Sequence, residues 1–265
     1  MSPLDVVRDG PVAILTLDRP RSLNALTTEL MDRIADALGE LGRDTSVGAA
    51  VITGRGDKAF CAGADLKEMS RGGLDPLAAA PDIGGISTAR FPVLAAVNGV
   101  AYGGGLELAL CCDLRFAATT ATFAAPEVRH GLIPGLAATR LPRLVPHAVA
   151  MDLLLGGRPW TAEQAQRVGL VQDVHAPEDL LGATVARAHD IAGLPRAGVQ
   201  GVLDVGRWWR DHAIDGHQLA YQTAARRVLA TGDYLERSKA FADGHERRTA
   251  SPTSTSRRRP AGPCR

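Results

Sequence analysis

The sequence has few aromatic residues, few cysteines and almost no net charge. Aromatic side chains make up 4% of its 265 residues, so its core must be built largely from Ala, Val, Leu and Ile. The four cysteines, Cys61, Cys111, Cys112 and Cys264, have neither the spacing of a metal site nor that of a disulfide framework. Buried free thiols in a reducing compartment fit them better. Thirty basic against 29 acidic residues leave a formal charge of +1, which provides no broad footprint for nucleic acid or an anionic membrane. The first residues carry Asp5, Arg8 and Asp9 and no apolar signal core, so a cytoplasmic location is expected. One long apolar run exists, Val93 to Cys112, but Asn98, Glu107 and several glycines interrupt it. That pattern predicts a strand, a tight turn and a buried helix, with no membrane span.

What is present is the composition of an ordinary soluble protein, 45% hydrophobic and 22% charged, long enough to bury a sizeable core. Strands are predicted at Val12–Leu17, Ala49–Thr53, Val93–Val97 and Leu114–Ala118. A helix is predicted from Thr27, with Leu30, Ile34, Leu38 and Leu41 on one stripe. Strands separated by helices indicate a layered α/β core. Ser70 to Ser87 is rich in Gly, Pro and Ala and predicts a mobile loop that shapes a pocket. After about Pro146 the pattern turns helical, with His147–Leu155 ending at Gly156-Gly157. Thr161-Ala-Glu-Gln164 has the form of a capping box, and Gly169 can terminate its helix. Further helices are expected near 178–192, 196–212, 215–231 and 233–243. Thr249 to Arg265 lacks apolar periodicity and predicts a disordered tail; its Arg257-Arg258-Arg259 run is expected to be solvated.

Three clusters carry chemistry. They are Phe60-Cys-Ala-Gly-Ala-Asp-Leu66, Asn98-Gly-Val-Ala-Tyr-Gly-Gly-Gly-Leu-Glu107, and Phe123-Ala-Ala-Pro-Glu127 leading to Gly131-Leu-Ile-Pro-Gly135. In the second, Gly103-Gly104-Gly105 opens a helix, at a cost of about 1 kcal/mol per glycine relative to alanine. A helix N-terminus has unpaired N–H groups and favours negative charge, which suits an oxyanion hole. Close packing of the helix start against another backbone explains the glycines equally well, whereas the spacing does not match a dinucleotide turn. Glu107 and Glu127 both lie in apolar surroundings, where desolvation and mutual repulsion raise carboxyl pKa values toward the range of general acid–base catalysis. Taken singly, a buried, hydrogen-bonded glutamate and a surface one would look the same.

Taken together and in order, the clusters resemble the crotonase (enoyl-CoA hydratase/isomerase) superfamily. Further parts resemble its other signatures: Arg19-Pro-x-x-Leu-Asn-Ala-Leu26, Arg140-Leu-Pro-Arg-Leu144, Ala150-Met-x-Leu-Leu-Leu-x-Gly157, and Ala162 to Val171. The resemblance covers roughly residues 5–245. It implies an α/β spiral of repeated ββα units with a C-terminal helical trimerisation region, assembled as a homotrimer or a dimer of trimers. Residues 1–195 would form the spiral core with the CoA-binding and catalytic site, 196–248 the helical region and 249–265 the tail.

The resemblance also implies roles. The backbone amides of Ala64 and Gly104 would form the oxyanion hole for an acyl-CoA thioester. Arg21, Ala62, Ala64, Asp65 and Leu66 would meet coenzyme A, with a solvated surface role equally open for Arg21. Glu107 and Glu127, twenty positions apart, would hold a water over the alkene of a trans-2-enoyl-CoA, Glu107 assisting attack at the β-carbon and Glu127 protonating the α-carbon. No metal or separate cofactor is implied, since coenzyme A belongs to the substrate. The remaining readings are an enoyl-CoA isomerase, other enolate chemistry, or a catalytically silent acyl-CoA binder; RNA binding gains nothing from a charge of +1.

Two departures from the family pattern stand out. Pro134-Gly-Leu-Ala-Ala-Thr-Arg-Leu141 has lost two glycines of a glycine-rich loop. Because Ala resists positive φ, this loop is expected to take a different path, displacing Glu127 or reshaping the acyl pocket. Beyond Ala240-Phe241 the usual closing stretch is replaced, which would alter a lid over coenzyme A.

Overall fold

A computed structural model of the chain describes residues 2–71 and 82–211, with scattered positions between 222 and 236. Residues 72–81 of the expected pocket loop, most of the expected helices at 215–231 and 233–243, Cys264 and the 249–265 tail lie outside the described residues.

The chain opens with a hairpin. Strand β1 (Leu4–Asp9) pairs antiparallel with β2 (Val12–Leu17), Leu4 facing Leu17 and Asp9 facing Val12. β2 is the predicted apolar strand. Most of β1 is exposed, so it offers no apolar run in the sequence. Helix α1 (Thr28–Arg43) starts where Thr27 Oγ1 accepts the Leu30 N–H at 3.1 Å. It buries Leu30, Ile34 and Leu38, spaced at one turn; Leu41 is half-buried.

A unit of two strands and a helix then repeats. Its first copy is β3 (Ala49–Gly54), β4 (Ala59–Cys61) and α2 (Leu66–Ser70). The second is β5 (Val93–Val97), β6 (Val100–Tyr102) and α3 (Gly104–Cys111). The third is β7 (Leu114–Ala118) and β8 (Thr122–Ala124), then a 3-10 turn at Glu127–His130 and helix α4 (Leu136–Leu144). After α5 (His147–Gly156) come β9 (Trp160–Thr161), α6 (Ala162–Arg167), β10 (Asp173–His175), α7 (Pro177–Ala192) and α8 (Arg196–Asp211). Thr161 and Gln164 form the capping box at the start of α6.

Each unit gives its first strand to a six-stranded sheet, ordered β1-β2-β3-β5-β7-β10 and parallel from β2 onward. Its second strand joins a four-stranded sheet, β4-β6-β8-β9. This is the expected α/β spiral of ββα units. α7 packs against β2, β3, β5 and β7, while β4 packs on β3 and β5. Covered on both sides, β3 is buried at every position, which is why Ala49-Ala-Val-Ile52 is unbroken by polar residues. Cys61, Cys111 and Cys112 are free and buried among these layers, as expected. Among the described residues no helix is long and apolar enough to cross a membrane.

The reading of residues 134–141 as a loop on a different path is corrected. From Leu136 onward the segment is helix α4, and none of its residues has positive φ. Alanines in place of glycines favour a helix there, by about 1 kcal/mol each, so the chain starts a helix where a glycine loop was anticipated.

Candidate active site

Two asparagines align the backbone segments that meet at the site. Asn24, buried and in the left-handed region at φ 55°, donates to the carbonyls of Ala59 (2.8 Å) and Arg55 (3.1 Å). Its Oδ1 accepts the Arg19 N–H at 3.0 Å. Beside it, Ala62 N–H donates to Leu23 O, Leu26 N–H to Gly63 O, and Asp65 N–H to Leu26 O, at 2.8–3.0 Å. Residues 62–65 are thus fastened along one edge, while the Ala64 N–H has no carbonyl partner among the described residues. Asn98 does the same for the next unit. Its Nδ2 donates to Gly54 O (2.9 Å) and Gly56 O (2.7 Å), and its Oδ1 accepts the Gly54 N–H (3.0 Å).

The start of α3 then comes against residues 61–64. A Cβ on Gly105 would lie 1.9 Å from Cys61 O, a close approach that only glycine permits. Gly63, at φ 105°, has its would-be Cβ 3.5 Å from the Gly104 nitrogen, and the would-be Cβ of Gly104 is 3.5 Å from the Ala64 nitrogen. The two amides are neighbours. Gly104 N–H also has no carbonyl partner among the described residues, and no side chain caps α3 at Gly103. Of the two alternatives that the sequence left for the glycines, close packing accounts for Gly105.

Both carboxylates stand at this helix start. Glu107 is in the first turn of α3, its N–H bonded to Gly103 O at 3.0 Å. Glu127 begins the 3-10 turn after β8, and its Oε1 lies 3.1 Å from where a Gly103 side chain would begin. Burial raises the Glu127 carboxyl, and the charge of Glu107 raises it further, to about 8. Its buried Oε2 has no hydrogen-bond partner among the described residues, an arrangement that needs a proton, a water or a ligand to be satisfied. Burial also raises Glu107. The N–H groups of Ala137, Leu136 and Gly135 oppose that shift, as does the nearby charge of Arg140. Leu136 and Ala137 donate to Glu107 Oε1 at 2.8 and 3.0 Å, so the N-terminus of α4 grips one carboxylate oxygen.

The other expected contacts lie on one ribbon. Ala62 is half-buried, Ala64 is exposed and Leu66 is 50% exposed. Arg21 is exposed in a 3-10 turn at Pro20–Ser22. The Asp65 side chain is already engaged: Oδ1 caps α2 through the N–H groups of Lys67 and Glu68, and Oδ2 pairs with Arg19 at 2.8 Å. Burial opposes but does not outweigh these contacts, which hold its carboxyl below the usual range. Sequence reasoning missed the Arg19–Asp65 pair and the α4 amides on Glu107. Asp-x-x-Glu at residues 65–68 carries the signal of a helix cap, whereas a helix start reaching Glu107 across 29 positions leaves none. Among the described residues no group of three or more His, Cys, Asp or Glu is placed to hold a metal ion.

Comparison with known proteins places this geometry in context. A family model described as enoyl-CoA hydratase/isomerase matches residues 8–207. A probable enoyl-CoA hydratase, echA8, of Mycobacterium bovis is 39% identical over 242 residues, covering 89% of this chain and 93% of the relative. A probable enoyl-CoA hydratase of Rhizobium meliloti is 46% identical over 200 residues, 72% of this chain and 77% of the relative. Among solved structures, a carnitinyl-CoA dehydratase from Mycobacterium avium superimposes with a TM-score of 0.83 at 35% identity, covering 91% of this chain and 97% of that one.

Proposed function

Because this chain belongs to the enoyl-CoA hydratase/isomerase family, we propose that it is an enoyl-CoA hydratase, a hydro-lyase that adds water to a trans-2-enoyl-CoA through an enolate-like oxyanion held by two backbone amides. The observation that carries this reading is the side-by-side placement of two unpartnered N–H groups, Ala64 and Gly104, with Glu107 and Glu127 at the same helix start.

The substrate thioester oxygen accepts from both amides. These bonds strengthen as negative charge moves onto that oxygen, so they favour the transition state over the ground state. The α3 N-terminus adds its own partial positive charge. Glu107, gripped at Oε1, accepts a proton from the water that attacks the β-carbon. Glu127 is held protonated near neutral pH by burial and by Glu107 and delivers its proton to the α-carbon. The product is the 3-hydroxyacyl-CoA, and the proton taken by Glu107 balances the one given by Glu127. Coenzyme A lies along the exposed ribbon from Ala62 to Leu66, with the backbone of Asp65 rather than its committed carboxylate in contact and Arg21 near the phosphates. It is part of the substrate, so the reaction calls on no separate cofactor.

The finer proposals extend the same reading. The chain assembles as a homotrimer or dimer of trimers; the outward apolar face of α8, with Val202, Val205 and Trp208 at 73%, 72% and 59% exposure, supports a packing partner there. It works in the cytoplasm, in fatty acid metabolism. The test is loss of the conjugated-enoyl absorbance of crotonyl-CoA on adding protein. Rapid loss with wild type and little with Glu107→Gln or Glu127→Gln supports hydration. Conversion of a 3-enoyl-CoA without hydration would make the chain an isomerase, and coenzyme A binding without turnover a silent binder.

A further inference from the structure

Helix α3 has opposite environments at its two ends. Its N-terminus is left open at Gly104, and its C-terminus is closed by three buried arginines from three other elements. Arg140 on α4 donates to Leu110 O at 3.2 Å. Arg115 on β7 donates to Ala109 O and Cys112 O at 3.3 and 2.8 Å. Arg210 on α8 donates to Cys111 O at 3.2 Å. Their exposures are 1%, 4% and 7%. The last carbonyls of a helix have no intrahelical partner, and cations there complement the helix dipole. Burying three guanidinium groups is nevertheless expensive, since even paired charges repay their desolvation poorly.

Of the three, Arg140 is also joined to the carboxylate. It follows Leu136 and Ala137 by four and three residues on α4, so its side chain shares the helix face above the amides that hold Glu107 Oε1. Its own contacts run back to α3 at Leu110 and across to Ser87 Oγ at 2.8 Å. Glu107 is therefore held at both ends by elements that Arg140 ties together: its backbone by α3 and its carboxylate by α4. The charged groups acting on this carboxylate among the described residues are Arg140 on α4 and Glu127 on the 3-10 turn.

We propose that Arg140 is a positioning residue for the hydration step: by bridging α4 to the C-terminal carbonyl of α3 it fixes the α4 amides on Glu107 and so aims that carboxylate at the water. This rests on the reading of Glu107 as a catalytic residue for hydration. Arg140 itself touches neither water nor substrate and acts through Glu107.

The test is a double-mutant cycle on crotonyl-CoA hydration by the full-length chain, comparing Arg140→Met, Arg140→Lys and Glu107→Gln. Arg140→Met is expected to lower kcat about 10- to 100-fold with KM within about threefold, because it disturbs a group used in the transition state. Arg140→Lys, which keeps a cation and a donor, restores part of the rate, and the acidic limb of its pH profile lies below that of Arg140→Met. In the Glu107→Gln background Arg140→Met costs less than about twofold more. A folded Arg140→Met with wild-type kcat, or a full additional loss in the Glu107→Gln background, would overturn the proposal. Should Arg140→Met fail to fold by thermal melting, Ser87→Ala takes its place, since it removes one acceptor of Arg140 and leaves the charge. A several-fold kcat loss that vanishes in Glu107→Gln supports the bridge, and no loss or an additive one refutes it. Wild-type protein with no Glu107-dependent hydration would instead refute the underlying function.

Discussion

The Leu136 N–H donates to Glu107 Oε1 at 2.8 Å, joining the first turn of α4 to the first turn of α3. Ala137 supplies a second donor to the same oxygen at 3.0 Å, and the Gly135 N–H also acts on this carboxylate. Oε1 is thereby anchored to the start of α4. Glu127 differs, with a buried Oε2 that has no partner among the described residues. Two carboxylates of the same type thus have different surroundings, one gripped by helix amides and one with an unpartnered oxygen, and the roles proposed for them follow from that difference.

Replacing either carboxylate tests those roles. Glu107→Gln and Glu127→Gln should each lower kcat for crotonyl-CoA hydration about 100- to 10,000-fold, the range of a lost general acid or base. Coenzyme A affinity, measured by calorimetry, should stay within about threefold. The double variant should be little worse than the poorer single one, because the pair acts on one water.

The pH dependence has a definite sign. Glu127 must carry its proton, and its carboxyl is raised to about 8, so kcat should fall as pH rises through that region. The Glu107 charge contributes to the elevation. With Glu107→Gln the residual rate should therefore lose its alkaline limb at a lower pH than wild type, and a limb that stays in place would contradict the coupling.

Glu127→Gln should lower activity while raising stability at alkaline pH. Its folded pKa lies above the ordinary value of 4.5, so between 4.5 and about 8 the folded chain holds more protons at this position than the unfolded one. Stability from this group is full below the unfolded value and is lost as pH rises through the folded one. Glu127→Gln removes that loss. Thermal melts should show the variant about 1–2 kcal/mol more stable at pH 8, or a few degrees in Tm, with no gain at pH 4.

The glycines should separate by function. Gly105→Ala places a methyl group 1.9 Å from Cys61 O, and the backbone must move, at a cost of about 1–3 kcal/mol by the usual range for overpacking. Gly104→Ala meets the flexible end of the Leu26 side chain at 3.2 Å and makes only ordinary van der Waals contact with the Ala64 nitrogen at 3.5 Å. It should fold with a Tm near wild type. Circular dichroism melts of the two variants check the contrast.

Much of this was legible in the sequence, for identifiable reasons. Val12–Leu17, Ala49–Thr53 and Val93–Val97 are apolar because they are covered on both faces, so they stood out as strands. β4, β6, β8 and β9 are two or three residues long and too short for any period to show. The glycine triplet indicated an open helix start, but not that Gly105 serves packing while Gly104 lies beside the Ala64 amide. That distinction depends on Cys61 O, 44 positions earlier. The 134–141 segment was misread because the lost glycines were taken to reroute a loop, when Leu136-Ala137-Ala138 starts a helix. The Glu107–Leu136 bond joins two helix starts through backbone amides, which have no residue signature.

The measurement that bears most directly on the oxyanion hole is an amide-to-ester replacement at Ala64. Installing lactic acid there removes the N–H and leaves the side chain unchanged. With Ala64 as an oxyanion donor, kcat for crotonyl-CoA hydration falls about 100- to 1,000-fold while coenzyme A affinity holds within about threefold. A kcat equal to that of the all-amide chain would contradict the account.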